Sequence, residues 1–474
     1  MTLKARITAI DRFIKGCRED GIYDDLNACC VMAGWDSLAG ALTPLKGAAP
    51  TNNGLSVYDR GVGIAGDGSS AYLDSNRANN ADGQNDQHMS VFAADVNTYD
   101  TDRPYVGVGF VVAGSTYIAT RAADAFVRNR SSTANTGLTQ GPAGSLIAID
   151  RSDASSFSYR QGGTSTGYLR DSQSPASGNI FVFSSNGFSA FSDATLSFYS
   201  IGSATDLAAL DARVSTLMAD LRAIEEAGFD RDAIAYIRAV EEADGAYLET
   251  SVKVAINNLV AGLKADGLWE SMASSCLLCG PRTLAGALVP LRGDAPTAYA
   301  FTSGDYSRTE GLTGAGAGTY LYLSGVHPDG PVQNSAHQAL YITSQTASAS
   351  YKTHIREFDG PEAGDGSTQI SQSATSAYIR CRSLGDAAVS ESPQTGLTAI
   401  NRSNSSSFEF RRGGASSTLN VASTGITDNN AFIYRFSSVY SDITLAFYSL
   451  GTSLDLAKLD THISDYVTAI GAAI

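Results

Sequence analysis

The chain has 474 residues, 43% of them hydrophobic and 17% charged, with 47 Gly, 12 Pro and a formal charge of −15. The length suggests about three ordinary domains, and the apolar share excludes global disorder. The negative balance offers no basic face for duplex nucleic acid or an anionic membrane surface, and no apolar run approaches the ~20 residues of a membrane span.

The opening stretch, MTLKARITAIDRFIKG, lacks the apolar core of a secretory signal. Its apolar residues recur at helical spacing instead: Leu3, Ile7, Ile10, Ile14 and Cys17 predict a helix with that seam. Six cysteines are too few for a disulfide framework here, and Cys29 and Cys30 are adjacent. Free thiols in helical, apolar surroundings point to folding in a reducing cytoplasm. Cys276-x-x-Cys279 is a single pair where zinc needs four ligands, and Cys279 aligns with Ala33. Cys30 and Cys276 read as a shared core cysteine on a helix.

The chain contains itself twice. Gly16–Gly47 matches Gly262–Gly293 at a constant offset of 246. Further on, LIAIDRSDASSFSYRQGG from Leu146 meets LTAINRSNSSSFEFRRGG from Leu397, and LSFYSIGSATDLAALDARV from Leu196 meets LAFYSLGTSLDLAKLDTHI from Leu445. Copies of about 200 residues are whole domains, well above solenoid repeat length. Each opens with a helix, passes through short strand-like runs such as Tyr105–Val112, Ser156–Arg160, Asn179–Ser185 and Thr195–Gly202, and closes with a helix. Turn signals at Gly66, Asp82, Ser184 and Gly364 separate the runs. This pattern predicts a mainly β protein: two antiparallel β-sandwich jelly rolls with flanking and connecting α-helices. Asp150–Ser155 and Gln161-Gly162-Gly163 read as structural turns, with Asn401 and Asn404 replacing Asp150 and Asp153 in the second copy.

Asp206 is placed to cap a closing helix whose Leu207, Leu210, Val214, Leu217, Leu221 and Ile224 run at spacings of three and four. The second copy gives Leu456, Leu459, Ile463, Tyr466 and Ile470. Such seams either pack on their own domain's sheet or also meet other subunits as a short bundle. The expected layout is residues 1–225, a helical connector over 226–250, and residues 251–474.

Catalytic chemistry is sparse. Glu409 stands where the first copy has Ser158, so no acid pair of the kind glycoside hydrolysis needs is visible. There is no G-x-S-x-G elbow, P-loop or dinucleotide fingerprint. His88 and His337 are equivalent and read as hydrogen-bonded strand-entry residues. Asp82, Asn85 and Asp86, in an oxygen-rich loop of the first copy, are weak candidates for calcium; otherwise no metal or cofactor is expected. The 22 Tyr either pack in cores or form a sugar-stacking surface.

The block LAGALVPLRG with its following Y-S/D-R, the LDSNRANNAD segment, INRSNSSSF and the closing LAFYSLG…LDLAKLD resemble tailed-phage and prophage virion proteins with concanavalin A-like, laminin G-like jelly rolls. The resemblance implies a non-enzymatic virion appendage: a fibre, a tail or baseplate attachment, or a capsid decoration. It further implies a homo-oligomer (a trimer as the working number) made in the host bacterial cytoplasm. Its partners would be other virion proteins and, if it is a receptor-recognition adhesin, host surface glycan; neither nucleic acid nor membrane insertion is expected. A glycan-cleaving enzyme is the weakest alternative. The second copy departs in having LYLSG (Leu321–Gly325) for LDSNR, so a recognition loop there would differ between copies.

Overall fold

A computed structural model describes residues 3–97, 99–110, 112–327, 332–357, 366–425 and 430–474. The turn expected at Gly364 lies outside them. The chain divides into two compact units, Met1–Gly228 with Gly245–Thr250, and Phe229–Asp244 with Ser251–Ile474. The connector is therefore not a third piece: its helix groups with the second unit and its last six residues with the first. In chain order the helices are α1 (Leu3–Glu19), α2 (Leu38–Ala41), α3 (Leu207–Glu225), α4 (Arg231–Asp244), α5 (Thr250–Ala265), α6 (Leu284–Ala287) and α7 (Leu456–Ala473).

Each unit is a sandwich of two antiparallel sheets. In the first unit one sheet runs Thr164–Leu169, Ser156–Gln161, Ser145–Arg151, Gln87–Asp95, Thr195–Gly202, Gly63–Ala65, Val57–Asp59, with Leu26–Val31 also on Thr195–Gly202. The other runs Asn135–Thr139, Asp124–Asn129, Thr116–Arg121, Arg103–Val108, Asn179–Val182, Tyr72–Ala78, Thr51–Asn53. The second unit repeats the plan, and the register repeats with it: His88 faces Gly202 and Asp150, as His337 faces Gly451 and Asn401. The double-glycine turns form as expected, with Gly162, Gly163, Gly413 and Gly414 all at φ between +52° and +78°, where only glycine sits without strain.

Between the sheets lie Cys30, Tyr105, Ile118, Ile149 and Tyr199 in the first unit, and Cys276, Ile355, Ile400 and Tyr448 in the second. A second apolar layer joins the outer face of the first unit's first sheet to α1 and α3 through Phe13, Cys17, Cys29, Phe92, Leu146, Phe198, Leu210 and Leu217. The seam residues belong to such layers. Leu207, Leu210, Val214, Leu217 and Leu221 are at most 5% exposed, and Leu456, Leu459, Ile463, Tyr466 and Ile470 at most 2%. Each such side chain stabilises its own unit by about 1.5–3 kcal/mol. These side chains pack within their own unit, and Ile224 at the end of the first seam is half-buried. Asp206 and Asp455 cap α3 and α7, each accepting two backbone N–H bonds.

Two expectations are corrected. The buried face of α1 is Arg6, Ala9, Phe13 and Cys17, while Leu3 and Ile7 are 58% and 55% exposed. The helix is rotated because Arg6 reaches inward, donating to Gly34 O at 2.9 Å and pairing with Asp36 at 2.8 Å. Cys17 is helical, on α1, but Cys29, Cys30 and Cys276 are not: they lie on the strands Leu26–Val31 and Met272–Leu277. Strand alternation turns Cys30 to the inter-sheet core and Cys29 to the helices.

Candidate functional site

The polar residues that the copies share build the scaffold. His88 Nδ1 donates to Ser203 O (2.6 Å), so its neutral Nε2 accepts from Ser200 Oγ (2.9 Å). His337 does the same with Thr452 O (2.6 Å) and Ser449 Oγ (2.8 Å). Burial pushes both imidazoles down to about 4. Arg151 is fully buried with its guanidinium on the carbonyls of Asn129, Asp153 and Arg170, and Arg402 repeats this on Cys381, Asn404, Ser407 and Val421. Asp153 and Asn404 close equivalent turns on the following serines. Burial pushes the thiols of Cys276 and Cys279 up to about 12, and Tyr448 OH lies on Cys276 Sγ at 3.1 Å, which suits packing and not nucleophilic or metal chemistry. Glu409 faces Asn401 and Thr418 in register, and neither is an acid.

The calcium candidates do not converge. Arg77 pairs with Asp82, which also accepts from Asn27 at 3.1 Å. Arg130 takes the carbonyls of Asn79 and Gly83, and Asp86 accepts the backbone N–H of Ala204 at 2.7 Å. Only Asn85 Oδ1 has no partner. Two guanidinium groups hold the acceptors a cation would need, and among the described residues no group of three acids, histidines or cysteines could hold a metal.

Sequence reasoning missed one buried ion cluster in the second unit. Glu357, 1% exposed, receives Arg382 at 3.0 Å and His327 at 2.9 Å. Burial alone would raise its carboxyl; Arg382 and His327 outweigh that and hold it low. His327 also lines a cleft of about 710 Å³ with Trp269, Glu270 and Arg292.

In each unit a short hairpin, Ser184–Phe191 or Arg435–Tyr440, packs on a central strand of the second sheet, Arg103–Val108 or Lys352–Glu357. The outer face of that sheet carries the outward rings. In the second unit Tyr320 alternates with the buried Leu321 and is half-buried, one part of its side chain against the core. Tyr299 is its register partner, and the two rings stack at 4.3 Å and 9°. Tyr322 faces Phe432, with centroids 5.2 Å apart. Arg435, from the hairpin, places its guanidinium 4.4 Å from the Tyr320 centroid, 5.6 Å from Phe432 and 5.7 Å from Tyr440. Tyr299 is 42% exposed.

The first unit has the frame of this platform without its extensions. Tyr72 and Phe181 stack at 4.4 Å beside Phe191. Register places Asn53 where the second unit has Tyr299, Asp74 where it has Tyr322, and Ser184 where it has Arg435. Asp74 is occupied with Asn76 N (2.8 Å) and Asn179 Nδ2 (3.2 Å). The LDSNR and LYLSG segments are thus strand Tyr72–Ala78 and the end of strand Tyr320–Leu323, not equivalent loops, and their difference lies on this face.

No family model matches the chain, and no curated protein matches it. Among solved structures it is similar to domains LG4-5 of the mouse laminin alpha1 chain, at 7% identity over 79% of this chain and 84% of that chain, TM-score 0.24. NanB sialidase of Streptococcus pneumoniae matches at 10% identity over 31% of this chain and 27% of that one, TM-score 0.25. A Ruminococcus gnavus IT-sialidase CBM40 bound to alpha2,3 sialyllactose matches at 11% identity over 34% of this chain and 93% of that one, TM-score 0.23. Likeness at this level assigns no function.

Proposed function

We propose that the chain is a non-enzymatic virion structural protein, an oligomeric appendage of a tailed phage or prophage built from two sandwich modules. The observation that carries this reading is the use made of the shared polar residues. His88 and His337, Arg151 and Arg402, Asp153 and Asn404 are each bonded into their own unit's backbone in the same way. What duplication preserved is a scaffold. The resemblance of the repeat blocks to virion proteins supports the placement in a particle. Leu3 and Ile7, exposed one turn apart on α1, are the apolar surface through which self-association would run. Mass spectrometry of particles purified from the producing strain tests it: the chain recovered at fixed stoichiometry with capsid or tail proteins is the expected result, and its absence from particles would overturn the reading.

A second reading, a receptor-recognition adhesin that binds carbohydrate, is favoured by the exposed aromatic platform of the second unit. Aromatic faces at the surface suit the apolar faces of sugar rings, and a binding role fits inside an appendage. Release of reducing sugar by the chain would contradict both readings.

A further inference from the structure

We propose that the second unit alone binds an acidic saccharide, a hexuronate-type glycan, on the platform of Tyr299, Tyr320, Tyr322, Phe432 and Arg435. This rests on the carbohydrate reading above and adds the unit, the face and the charge of the ligand.

Three observations lead there. First, the helices cover the outer face of a unit's first sheet, as α1 and α3 do in the first unit, which leaves the second sheet's outer face for a ligand. Second, three differences between the copies around the Tyr72 and Tyr320 end of that face run one way, while farther along it the first unit keeps the Tyr117 ring where the second has Gln369. The second unit replaces an amide by Tyr299, a carboxylate by Tyr322 and a serine by Arg435. The ring area grows, an anion is lost and a cation is gained. Third, the cation is held for use. Arg435 Nε donates to Ser437 O at 2.8 Å, which fixes the guanidinium against three rings, and no carboxylate pairs with it among the described residues. Burying ring faces beside a guanidinium strengthens its pull on an anion, because the site is shielded from water. Arg356, on the strand beside Phe432, lies against the Phe436 ring at 3.5 Å, and Arg435 is the cation in contact with the platform rings.

The chemistry selects one ligand class. A neutral sugar would use Tyr299 and Tyr322 and leave Arg435 unused. A bare anion would use Arg435 and leave the rings unused. A pyranose with a ring carboxylate uses both: its C–H face lies on the rings while the guanidinium meets the carboxylate through two N–H donors. The Asp74 carboxylate at the equivalent place excludes the same ligand from the first unit.

Isothermal titration of the full chain tests this, with tri-uronates of galacturonic, glucuronic and mannuronic acid against the corresponding neutral trisaccharides. At least one uronate should bind about tenfold or more tighter than its neutral counterpart, as one charge-assisted bond would give. Added salt should weaken only the uronate. Arg435→Met should reduce uronate affinity to the neutral level, and Tyr299→Ala should weaken both, with thermal unfolding unchanged in each variant. Equal uronate and neutral affinities, or full uronate binding by the Arg435→Met chain, would overturn the acidic ligand and leave carbohydrate binding standing. No binding of any saccharide would overturn both.

Discussion

Arg411 Nε lies 2.9 Å from Asp460 Oδ2, tying α7 to the strand Phe408–Arg412, and Arg160 makes the same link to Asp211 of α3 at 2.8 Å. Both pairs are about one-tenth exposed, and Ser464 or Ser215 adds a hydrogen bond to each carboxylate. The pair is thus a latch between closing helix and first sheet, present in both copies. Removing one partner leaves a largely buried charge without its counter-ion. Asp460→Ala should therefore destabilise the second unit by about 2–4 kcal/mol, and Asp211→Ala the first by a similar amount. Urea unfolding reads the loss; a change within about 0.5 kcal/mol would mean the latch is decorative.

The two units should respond to pH differently. Asp150 is pushed up to about 7, first by burial and then by the charges of Asp86, Asp25 and Asp206, against the Thr205 N–H bond that favours ionisation. A carboxyl raised in the folded state costs stability as it ionises, so this contribution falls as pH rises from about 4 to about 7. His88, pushed down to about 4, works in the opposite sense: its contribution is complete above about 6.5 and is lost as pH falls toward 4. The two slopes oppose in the first unit. The second unit has Asn401 in place of Asp150 and keeps the histidine slopes of His337 and His354, to which the lowered Glu357 carboxyl adds in the same sense as pH falls. It should lose stability on acidification while the first unit stays nearly flat. Asp150→Asn should raise the first unit's stability above pH 7 by about 1–3 kcal/mol and expose the His88 slope. Calorimetric scans from pH 4 to 8 check this; matching profiles for both units in the wild-type chain would refute it.

Calcium should leave the chain indifferent. Arg77 and Arg130 already serve Asp82 and the carbonyls around it. Millimolar calcium or a chelator should move the first unit's melting temperature by less than about 1 °C. A rise of several degrees, abolished by Asp82→Asn, would show that the loop opens to a cation after all.

The faces of α1 separate stability from association. Phe13, 3% exposed and 5.9 Å from the Phe198 ring in an edge arrangement, should cost about 3–5 kcal/mol when replaced by Ala. Ile7→Gln should change stability by less than about 0.5 kcal/mol. If the outer stripe holds copies together, Ile7→Gln should nonetheless lower the mass seen by light scattering, and an unchanged mass would remove that stripe from the assembly.

Much of the fold was legible in the sequence for physical reasons. Thr195–Gly202 is a run of β-formers bounded by turn signals, and its strand has those bounds; Asp206 is an N-cap because short acidic side chains reach free N–H groups. The rotation of α1 was not legible, since Arg6 gains its place from Gly34 and Asp36, about thirty residues away. Nor was the platform. The alternation in Tyr320–Leu323 tells that two rings share a face, but both parities are apolar, and only the three-dimensional layering shows which face helices leave open. Arg435 and Glu357 carried no local signal, because their partners come from other strands.

On the proposal above, one scaffold was copied and only the second copy acquired a binding face. The number of saccharide molecules bound per chain tests this most directly, measured by titrating the wild-type chain with the tightest uronate. One site per chain, lost on Tyr299→Ala, is the expected result. Two equivalent sites, or one that survives that change, would contradict it.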